Sequence, residues 1–203
     1  MPVAQTKKKR GRPAGVSAVA HERILDTVQA ILEGKSFQDL TMEEVARRAE
    51  VGKPTLYKWW PSKSALVLDL FQERLVRPLA VSENMLPAEK IRAQVQEAIF
   101  LLNGFFGKLA REIIAEGQAD PETLRQYRNI YLAGRRGLTQ GFLAEARDAG
   151  EVWADRDPEL LIDLIYGPIY YRLLVGHQPL DAYFGNALVD SVLSFSAGRG
   201  EGQ

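Results

Sequence analysis

The sequence predicts an all-α fold of about nine helices. Apolar residues recur at three- and four-residue spacing along most of the 203 residues, and no stretch alternates as a strand does. Two Asp-Pro pairs, Asp120-Pro121 and Asp157-Pro158, have the order of a helix cap followed by proline in the first turn. A hydrophobic content of 46%, with equal numbers of acidic and basic residues, is typical of a soluble chain with one or two folded domains.

Three short helices are predicted near the N-terminus. Apolar spacing indicates the first, and Gly34 ends it. Thr41 and Glu44 have the spacing of a capping box, which indicates the start of the second. Pro54 in a first turn favours the third, because proline loses no hydrogen bond there. The predicted bounds are Ser17 to Gly34, about Met42 to Arg48, and Lys53 to about Trp60.

Six further helices complete the predicted fold. Each begins at a capping residue or proline, or contains apolar residues at helical spacing. The predicted segments run from Ser62 to about Pro78, from Pro87 to Phe106, from about Leu109 to Ala115, from Asp120 to Gly150, from Asp157 to Gly176, and from about Leu180 to Ser196. Gly167-Pro168 predicts a kink, because Pro168 cannot donate to the carbonyl four residues earlier.

Charge is distributed unevenly along the chain. Residues 1–64 contain 12 Lys and Arg against 7 Asp and Glu, whereas the remainder contains 14 against 19. A basic N-terminal part favours nucleic acid, because neutralised phosphates release counterions. Residues 1–16 are predicted to be a flexible arm, and the run KKKRGRP resembles an AT-hook core. Arg10 and Arg12 are therefore predicted to enter the minor groove of A·T-rich DNA; a solvated tail is the alternative.

The second and third helices have the pattern of a helix-turn-helix. The short turn Glu50-Val51-Gly52 separates them. In this arrangement the third helix enters the major groove, where Lys53 can donate to guanine and where Pro54 and Thr55 can contact a thymine methyl. Leu56 must then be buried to hold the helix at its angle. An ordinary helical hairpin is the alternative interpretation.

The segment TMEEVARRAEVGKPTLYKWWPSKSALVLDLF resembles the DNA-binding domain of the TetR family of transcriptional regulators. The strong resemblance covers about residues 17–70, and the remainder is similar to the family's helical ligand domain in size and helix count. It implies a helix-turn-helix domain over residues 17–63 and a ligand-binding and dimerisation domain over residues 64–203. Glu50 stands where the family often has Gly, and Gly52 stands where it usually has Ser, although Gly is a tolerable cap.

The resemblance also implies roles for the matching side chains. Contacts to bases or to the groove wall are implied for Lys53, Pro54, Thr55 and Trp59. Contacts to phosphates are implied for Thr41, Tyr57 and Lys63, and Lys58 could serve either group. Trp60 takes the family's buried aromatic position. The fourth helix would link the two domains and set the distance between two recognition helices.

The last two helices are more apolar than one buried face requires. Leu160 to Val175 is apolar or aromatic nearly all round, as in a helix buried on both sides. The family's arrangement is a two-fold dimer in which these helices form a four-helix bundle with their mates. The predicted homodimer contacts are Leu161, Ile165, Ile169, Leu188 and Val192.

Aromatic residues in the middle of the chain predict a mostly apolar ligand cavity. Tyrosine hydroxyls and an amide side chain would orient a ligand there. The predicted lining comprises Phe71, Phe100, Asn103, Phe106, Tyr127 and Tyr131. We expect an apolar or aromatic small-molecule effector, although core packing is the alternative role for each of these side chains.

The sequence contains no recognisable set of catalytic residues. There is no Gly-rich phosphate loop, nucleophile elbow or His-Glu-x-x-His motif, and His21 and His177 are interpreted as surface or capping residues. We expect no metal site and no cofactor. The chain lacks cysteine, signal peptide and membrane-length apolar run, which favours a cytoplasmic protein with no membrane partner. The predicted function is a repressor released from a palindromic DNA operator by its effector; an architectural DNA-binding protein without an effector is the alternative.

Overall fold

The computed structural model describes residues 18–76, 82, 84–150 and 156–197, and all regular structure within them is helical. Nine helices form in this part of the chain, and no strand does, so the all-α prediction is confirmed. Eight of them are α1 (Ala18–Gly34), α2 (Met42–Arg48), α3 (Lys53–Trp59), α4 (Lys63–Leu75), α5 (Pro87–Leu102), α6 (Phe105–Ala119), α8 (Pro158–Val175) and α9 (Ala182–Ala197). The seventh, α7, is a continuous helix made of Pro121–Gln126, a π-helical segment Tyr127–Leu132, and Ala133–Asp148.

Helices α1 to α3 form the N-terminal part around a small apolar core. The predicted apolar face of α1 is buried, and Phe37 and Leu40 of the following loop are buried with it. Removing a buried side chain of this size from water stabilises the fold by about 1.5–3 kcal/mol. The buried residues of α1 are Ile24, Leu25, Val28, Ile31 and Leu32.

Helix α4 contacts both the N-terminal helices and the C-terminal bundle. Ser62 caps it as predicted, accepting from the backbone N–H of Ala65 at 3.1 Å. Arg74 near its end forms ion pairs with Glu22 and Asp26 of α1, at 2.5 and 2.7 Å. Its other face packs on the start and the π-helical segment of α7. The helix ends at Leu75, before the predicted end at about Pro78, which lies outside the described residues.

The C-terminal part is a bundle in which α5 packs on α6, α7 and α9. Helix α5 ends at Leu102, so the prediction that Phe106 belongs to it is wrong. Helix α6 has 15 residues and is longer than the predicted segment. The first turn of α6 requires a glycine, because a Cβ at Gly107 would lie 1.7 Å from the Leu102 carbonyl oxygen at the end of α5.

The start and end signals of α7 and α8 are confirmed. Asp120 accepts from the backbone N–H groups of Glu122 and Thr123, and Asp157 accepts from that of Glu159. Gly176 has a φ of 66°, in the left-handed conformation that ends many helices. Helix α8 continues through Pro168, and the kink there stays a prediction.

The π-helical segment of α7 has no counterpart in the predicted structure. Its wider turn shows where the backbone N–H of Ala133 bonds to the carbonyl of Arg128, five residues earlier. Tyr127 and Tyr131 lie in this turn and are buried. Such segments are rare and are found frequently at functional sites.

Candidate nucleic-acid interface and ligand cavity

The turn between α2 and α3 is a Schellman motif closed by an unusual residue. The backbone N–H of Val51 bonds to the Ala46 carbonyl at 2.9 Å, and that of Glu50 bonds to the Arg47 carbonyl at 3.3 Å. Glu50 has a φ of 52°, the left-handed conformation that glycine adopts most easily. This geometry explains the glycine expected at this position.

Thr41 fulfils half of the predicted capping box. Its side-chain oxygen accepts from the backbone N–H of Glu44 at 3.2 Å. The Glu44 carboxylate pairs instead with Lys35 at 2.7 Å and with Arg48 at 2.9 Å. The hydrogen bond from the side chain of Lys35 is the main cause of a lowered Glu44 pKa. Thr41 itself is exposed and can still donate its hydroxyl hydrogen to a phosphate.

Helix α3 is anchored on its inner side. Leu56 is fully buried, and Trp60, directly after the helix, is 4% exposed, as predicted for a core aromatic. The Trp60 indole N–H donates to Asp69 Oδ2 at 2.9 Å, and His21 Nε2 lies 2.8 Å from the same oxygen. The prediction of a surface or capping role for His21 is wrong, because its half-buried ring stacks on Trp60. This cluster fixes α3 against α1 and α4.

The outer side of α3 presents the predicted DNA-contacting residues to solvent. Trp59 is half-buried, and its indole packs edge-on against Trp60 with 5.7 Å between ring centroids. An exposed ion pair of 3.6 Å joins Lys53 to Glu43 of α2. The remaining predicted side chains on this helix are exposed, namely Lys53, Pro54, Thr55, Tyr57 and Lys58.

Lys63 is partly committed to contacts within the chain. Its Nζ donates to the carbonyls of Phe37 and Gln38, at 3.1 and 3.0 Å, and lies 4.7 Å from the centre of the Phe37 ring. These bonds hold the loop between α1 and α2 against the start of α4. A phosphate contact by Lys63 stays a prediction. Arg10 and Arg12 lie outside the described residues.

Four of the six predicted pocket residues form one aromatic cluster. Phe71 of α4 lies at its centre, with ring centroids 5.6 Å from Phe106, 6.5 Å from Tyr127 and 5.1 Å from Tyr131. All of these contacts are edge-to-face, the arrangement that aromatic quadrupoles favour. The cluster joins α4, α6 and α7.

The other two predicted pocket residues lie elsewhere. Phe100 is 77% exposed, because its position on α5 faces away from the bundle. The Asn103 amide donates to the Leu180 carbonyl at 2.6 Å and so fastens the end of α5 to the segment before α9. Their assignment to the pocket is therefore wrong.

A small cavity adjoins the aromatic cluster between α5, α7 and α8. Its volume is about 30 Å³, and Tyr131 is the predicted residue that lines it. Sequence reasoning missed Arg135, Tyr166 and Tyr170. The two tyrosines are four residues apart on α8, a spacing that places them on one face. The full lining is Ala98, Leu102, Tyr131, Leu132, Arg135, Arg136, Ile162, Tyr166 and Tyr170.

The tyrosine hydroxyls beside the cavity form a buried network. The hydroxyls of Tyr127 and Tyr170 are 2.9 Å apart, and that of Tyr166 is 3.3 Å from the hydroxyl of Thr139. Burial raises the pKa of Tyr127, Tyr131 and Tyr170 well above that of an exposed phenol. The three hydroxyls therefore stay protonated at neutral pH and are able to donate hydrogen bonds.

The predicted dimer contacts need correction. Leu161, Ile165, Ile169 and Val192 are buried within their own chain, and Leu188 is half-buried against that core. The four enclosed side chains cannot meet a second copy, whereas a dimer contact by the half-buried Leu188 stays a prediction. The exposed large side chains of α8 lie on the opposite face, and Tyr183 of α9 is 83% exposed. Those of α8 are Leu160, Leu164, Tyr171, Leu174 and Val175.

An exposed helix-turn-helix joined to a helical domain with an internal cavity defines a class, the two-domain DNA-binding regulators. Comparison with known families agrees. The model for bacterial regulatory proteins of the tetR family matches residues 24–70, and that for the tetracyclin repressor-like C-terminal domain matches residues 87–192. The chain belongs to the TetR family of DNA-binding transcriptional regulators.

Individual relatives extend over most of the chain. The HTH-type transcriptional regulator YdeS of Bacillus subtilis is 33% identical over 186 residues, which are 91% of this chain and 93% of YdeS. The crystal structure of the TetR family regulator SCO0332 is 33% identical and covers 86% of this chain and 97% of its own, with a TM-score of 0.72. FadR from Bacillus subtilis in complex with stearoyl-CoA shares the fold at 18% identity, with 86% and 98% coverage and a TM-score of 0.65.

No helix within the described residues is long and apolar enough to cross a membrane. No group of three or more His, Asp or Glu side chains among them is arranged to hold a metal ion.

Proposed function

We propose that this protein is a ligand-responsive repressor whose dimer binds a palindromic operator and releases it when a small molecule occupies the cavity. The main support for the proposal is that α3 has a fixed inner side and an exposed outer side. Its inner side is fixed by the buried side chain of Leu56 and by the Trp60–Asp69 hydrogen bond. On its outer side, every residue from Lys53 to Lys58 except Leu56 is exposed. A rigid helix with an exposed polar N-terminal half suits the major groove.

The apolar face of α8 supports a dimer. The five large side chains exposed on it are 46–58% exposed within one chain. Monomeric proteins seldom leave so continuous an apolar patch in water. Two copies related by a two-fold axis would cover this face and place two α3 helices on one DNA duplex.

Contacts between the two halves of the molecule support a response to ligand. Phe71 of α4 packs on Tyr131, which lines the cavity. The hydroxyls of Ser64 and Thr123 meet at 2.8 Å in a buried bond between α4 and α7. A change of the cavity wall would therefore move α4, and α4 is fastened to the DNA-binding part. The FadR complex with stearoyl-CoA supports a small-molecule ligand for this fold.

Selection of bound sequences from random DNA by the full-length protein, followed by footprinting, tests the proposal. We expect a palindrome with half-sites about 10–10.5 base pairs apart or a multiple of that distance. Enrichment of no sequence, with equal affinity for all duplexes, would contradict it and favour an architectural role. Repression of a reporter carrying the selected site, and its loss when the site is scrambled, tests the direction of regulation.

A further inference from the structure

Every polar side chain of the cavity wall can donate a hydrogen bond. Of its nine described lining residues, four are apolar, three are tyrosines and two are arginines, and none carries a carboxylate. Arginine can only donate hydrogen bonds, and a protonated tyrosine donates one. The chemistry of this wall suits a ligand that supplies acceptor oxygens next to an apolar body.

Arg135 brings to this wall a guanidinium whose ion pair with a carboxylate is longer than a hydrogen bond. The residue is 5% exposed, and its Nη1 donates to the Leu75 carbonyl at 2.9 Å. The nearest carboxylate oxygen, Glu97 Oε2, is 3.8 Å from Nη1 and has no hydrogen-bond partner among the described residues. A buried guanidinium is stable only with close, hydrogen-bonded partners, and its fork matches a carboxylate.

Arg136, the neighbouring arginine, differs from Arg135 in this respect. Its guanidinium forms ion pairs with Glu159 and, at 2.6 Å, with Asp163, both on the outside of α8. Two carboxylates therefore already neutralise its charge, and its contribution to the cavity is packing. Arg135, whose ion pair with Glu97 is 3.8 Å long, is the arginine of this wall that forms no carboxylate hydrogen bond within the described residues.

We propose that the effector is a small amphipathic acid whose carboxylate binds Arg135 and the adjacent tyrosine hydroxyls. Its apolar body would pack against Ala98, Leu102, Leu132 and Ile162. This inference rests on the proposed function, because it names the ligand class of the same cavity. It replaces the apolar or aromatic effector expected from the sequence with one that carries a negative charge.

The same arginine connects the ligand to the DNA-binding part. Leu75, whose carbonyl accepts from Arg135, is the last residue of α4. A ligand carboxylate would compete with that carbonyl for the guanidinium and free the end of α4. A cavity of about 30 Å³ holds only about two water molecules, so the ligand must also displace Tyr131, which packs on Phe71 of α4. Both movements act on the helix that carries α3.

Matched pairs of probes test the ligand class. Titration calorimetry of the full chain would compare unbranched alkanoates from hexanoate to dodecanoate, 3-phenylpropionate and indole-3-acetate with their primary amides. We expect at least one acid to bind about tenfold more tightly than its amide, which corresponds to about 1.4 kcal/mol. If no acid binds more tightly than its amide, the proposal is overturned.

Variants at Arg135 then test the residue. Arg135→Gln should remove the preference for the acid, whereas Arg125→Gln, which breaks an exposed ion pair with Glu122 on the same helix, should preserve it. Because Arg135→Gln leaves the Leu75 carbonyl without its donor and can unfold the chain, Arg135→Lys is the second variant. It keeps the charge without the fork, and we expect acid binding to weaken by about threefold or more with amide binding unchanged. Unaltered acid affinity in Arg135→Lys would also overturn the proposal.

Operator release separates this inference from the proposed function. Fluorescence anisotropy of a labelled operator, obtained by the selection described above, would be followed during titration with each probe. Release by the amides and not by the acids leaves a ligand-responsive regulator standing and overturns the acidic effector. Acid binding that depends on Arg135 but releases no DNA supports the ligand class and contradicts the proposed function.

Discussion

Glu50 holds a backbone conformation that its side chain disfavours. The left-handed turn after α2 has a φ of 52° there, and such a conformation costs a non-glycine residue about 1–2 kcal/mol. Glu50→Gly removes that cost but adds backbone freedom to the unfolded chain, so we expect a net gain in unfolding free energy of about 0.5–1 kcal/mol. Urea denaturation followed by circular dichroism measures it. Glu43→Gly, at an exposed position inside α2, is the matched control and should lose about 1 kcal/mol.

Lys53 and Lys63 are expected to differ although both were predicted to contact DNA. Lys53 is exposed and its ion pair with Glu43 is weak, so Lys53→Ala should change stability by less than about 0.5 kcal/mol while relaxing base preference in the half-site. Lys63→Ala should destabilise the fold by about 1–3 kcal/mol, because two loop carbonyls lose a charged donor. Thermal unfolding and competition with base-substituted operators measure the two effects. Equal stability losses in both variants would contradict the distinction.

Residue identity predicted the exposed face of α3 better than it predicted the cavity. Exposure of Lys53 and burial of Leu56 follow from the helical phase of α3, which a short amphipathic segment defines well. Burial of Arg135 depends on the Leu75 carbonyl and on Glu97, which are 60 and 38 positions away in the sequence. No local pattern around Arg135 indicates those partners. The sequence alone therefore could not show that the Arg135 side chain lines the cavity.

At the scale of the element, α8 shows why the dimer contacts were assigned to the wrong face. The helix is apolar on all sides, so its periodicity does not indicate which side faces its own core. The fold resolves this by burying Leu161, Ile165 and Ile169. The starts of helices were predictable because Asp120-Pro121, Asp157-Pro158 and Ser62 act through local hydrogen bonds. The π-helical turn of α7 was not, since it has no local sequence signal.

The exposed face of α8 should control assembly. Tyr171→Glu places a charge at a side chain that is 58% exposed in one chain and would be buried between two. We expect a shift from dimer to monomer in sedimentation velocity with little loss of helicity. Val19→Glu, at an apolar residue of α1 that is 77% exposed, is the control and should remain dimeric. Ile165→Ala should instead cost about 2–5 kcal/mol of stability, because it opens a cavity in the core.

At the scale of the whole molecule, ligand and operator should bind antagonistically. Two α3 helices must lie about 34–36 Å apart to enter successive major grooves, and α4 connects each of them to its cavity. A coupling of about 1–3 kcal/mol would change either affinity by about 5- to 150-fold, and the factor must be the same in both directions. Titration of a bound acid with and without saturating operator measures it. Equal ligand affinities in the two titrations would show that the cavity does not govern DNA binding.

The ion pairs of Arg74 with Glu22 and Asp26 have a consequence for engineering hybrid regulators. They join the end of α4 to α1, while Phe71 and Ser64 on the same helix pack against α7. Helix α4 therefore has two sets of partners that must both be satisfied. A chimaera that joins this DNA-binding part to another sensor domain at residue 63 would lose Arg74. Glu22 and Asp26 of α1 would then have no arginine to pair with. A junction after α4 would keep those ion pairs. The foreign sensor domain would then need side chains that pack against Phe71 and bond to Ser64, as those of α7 do here.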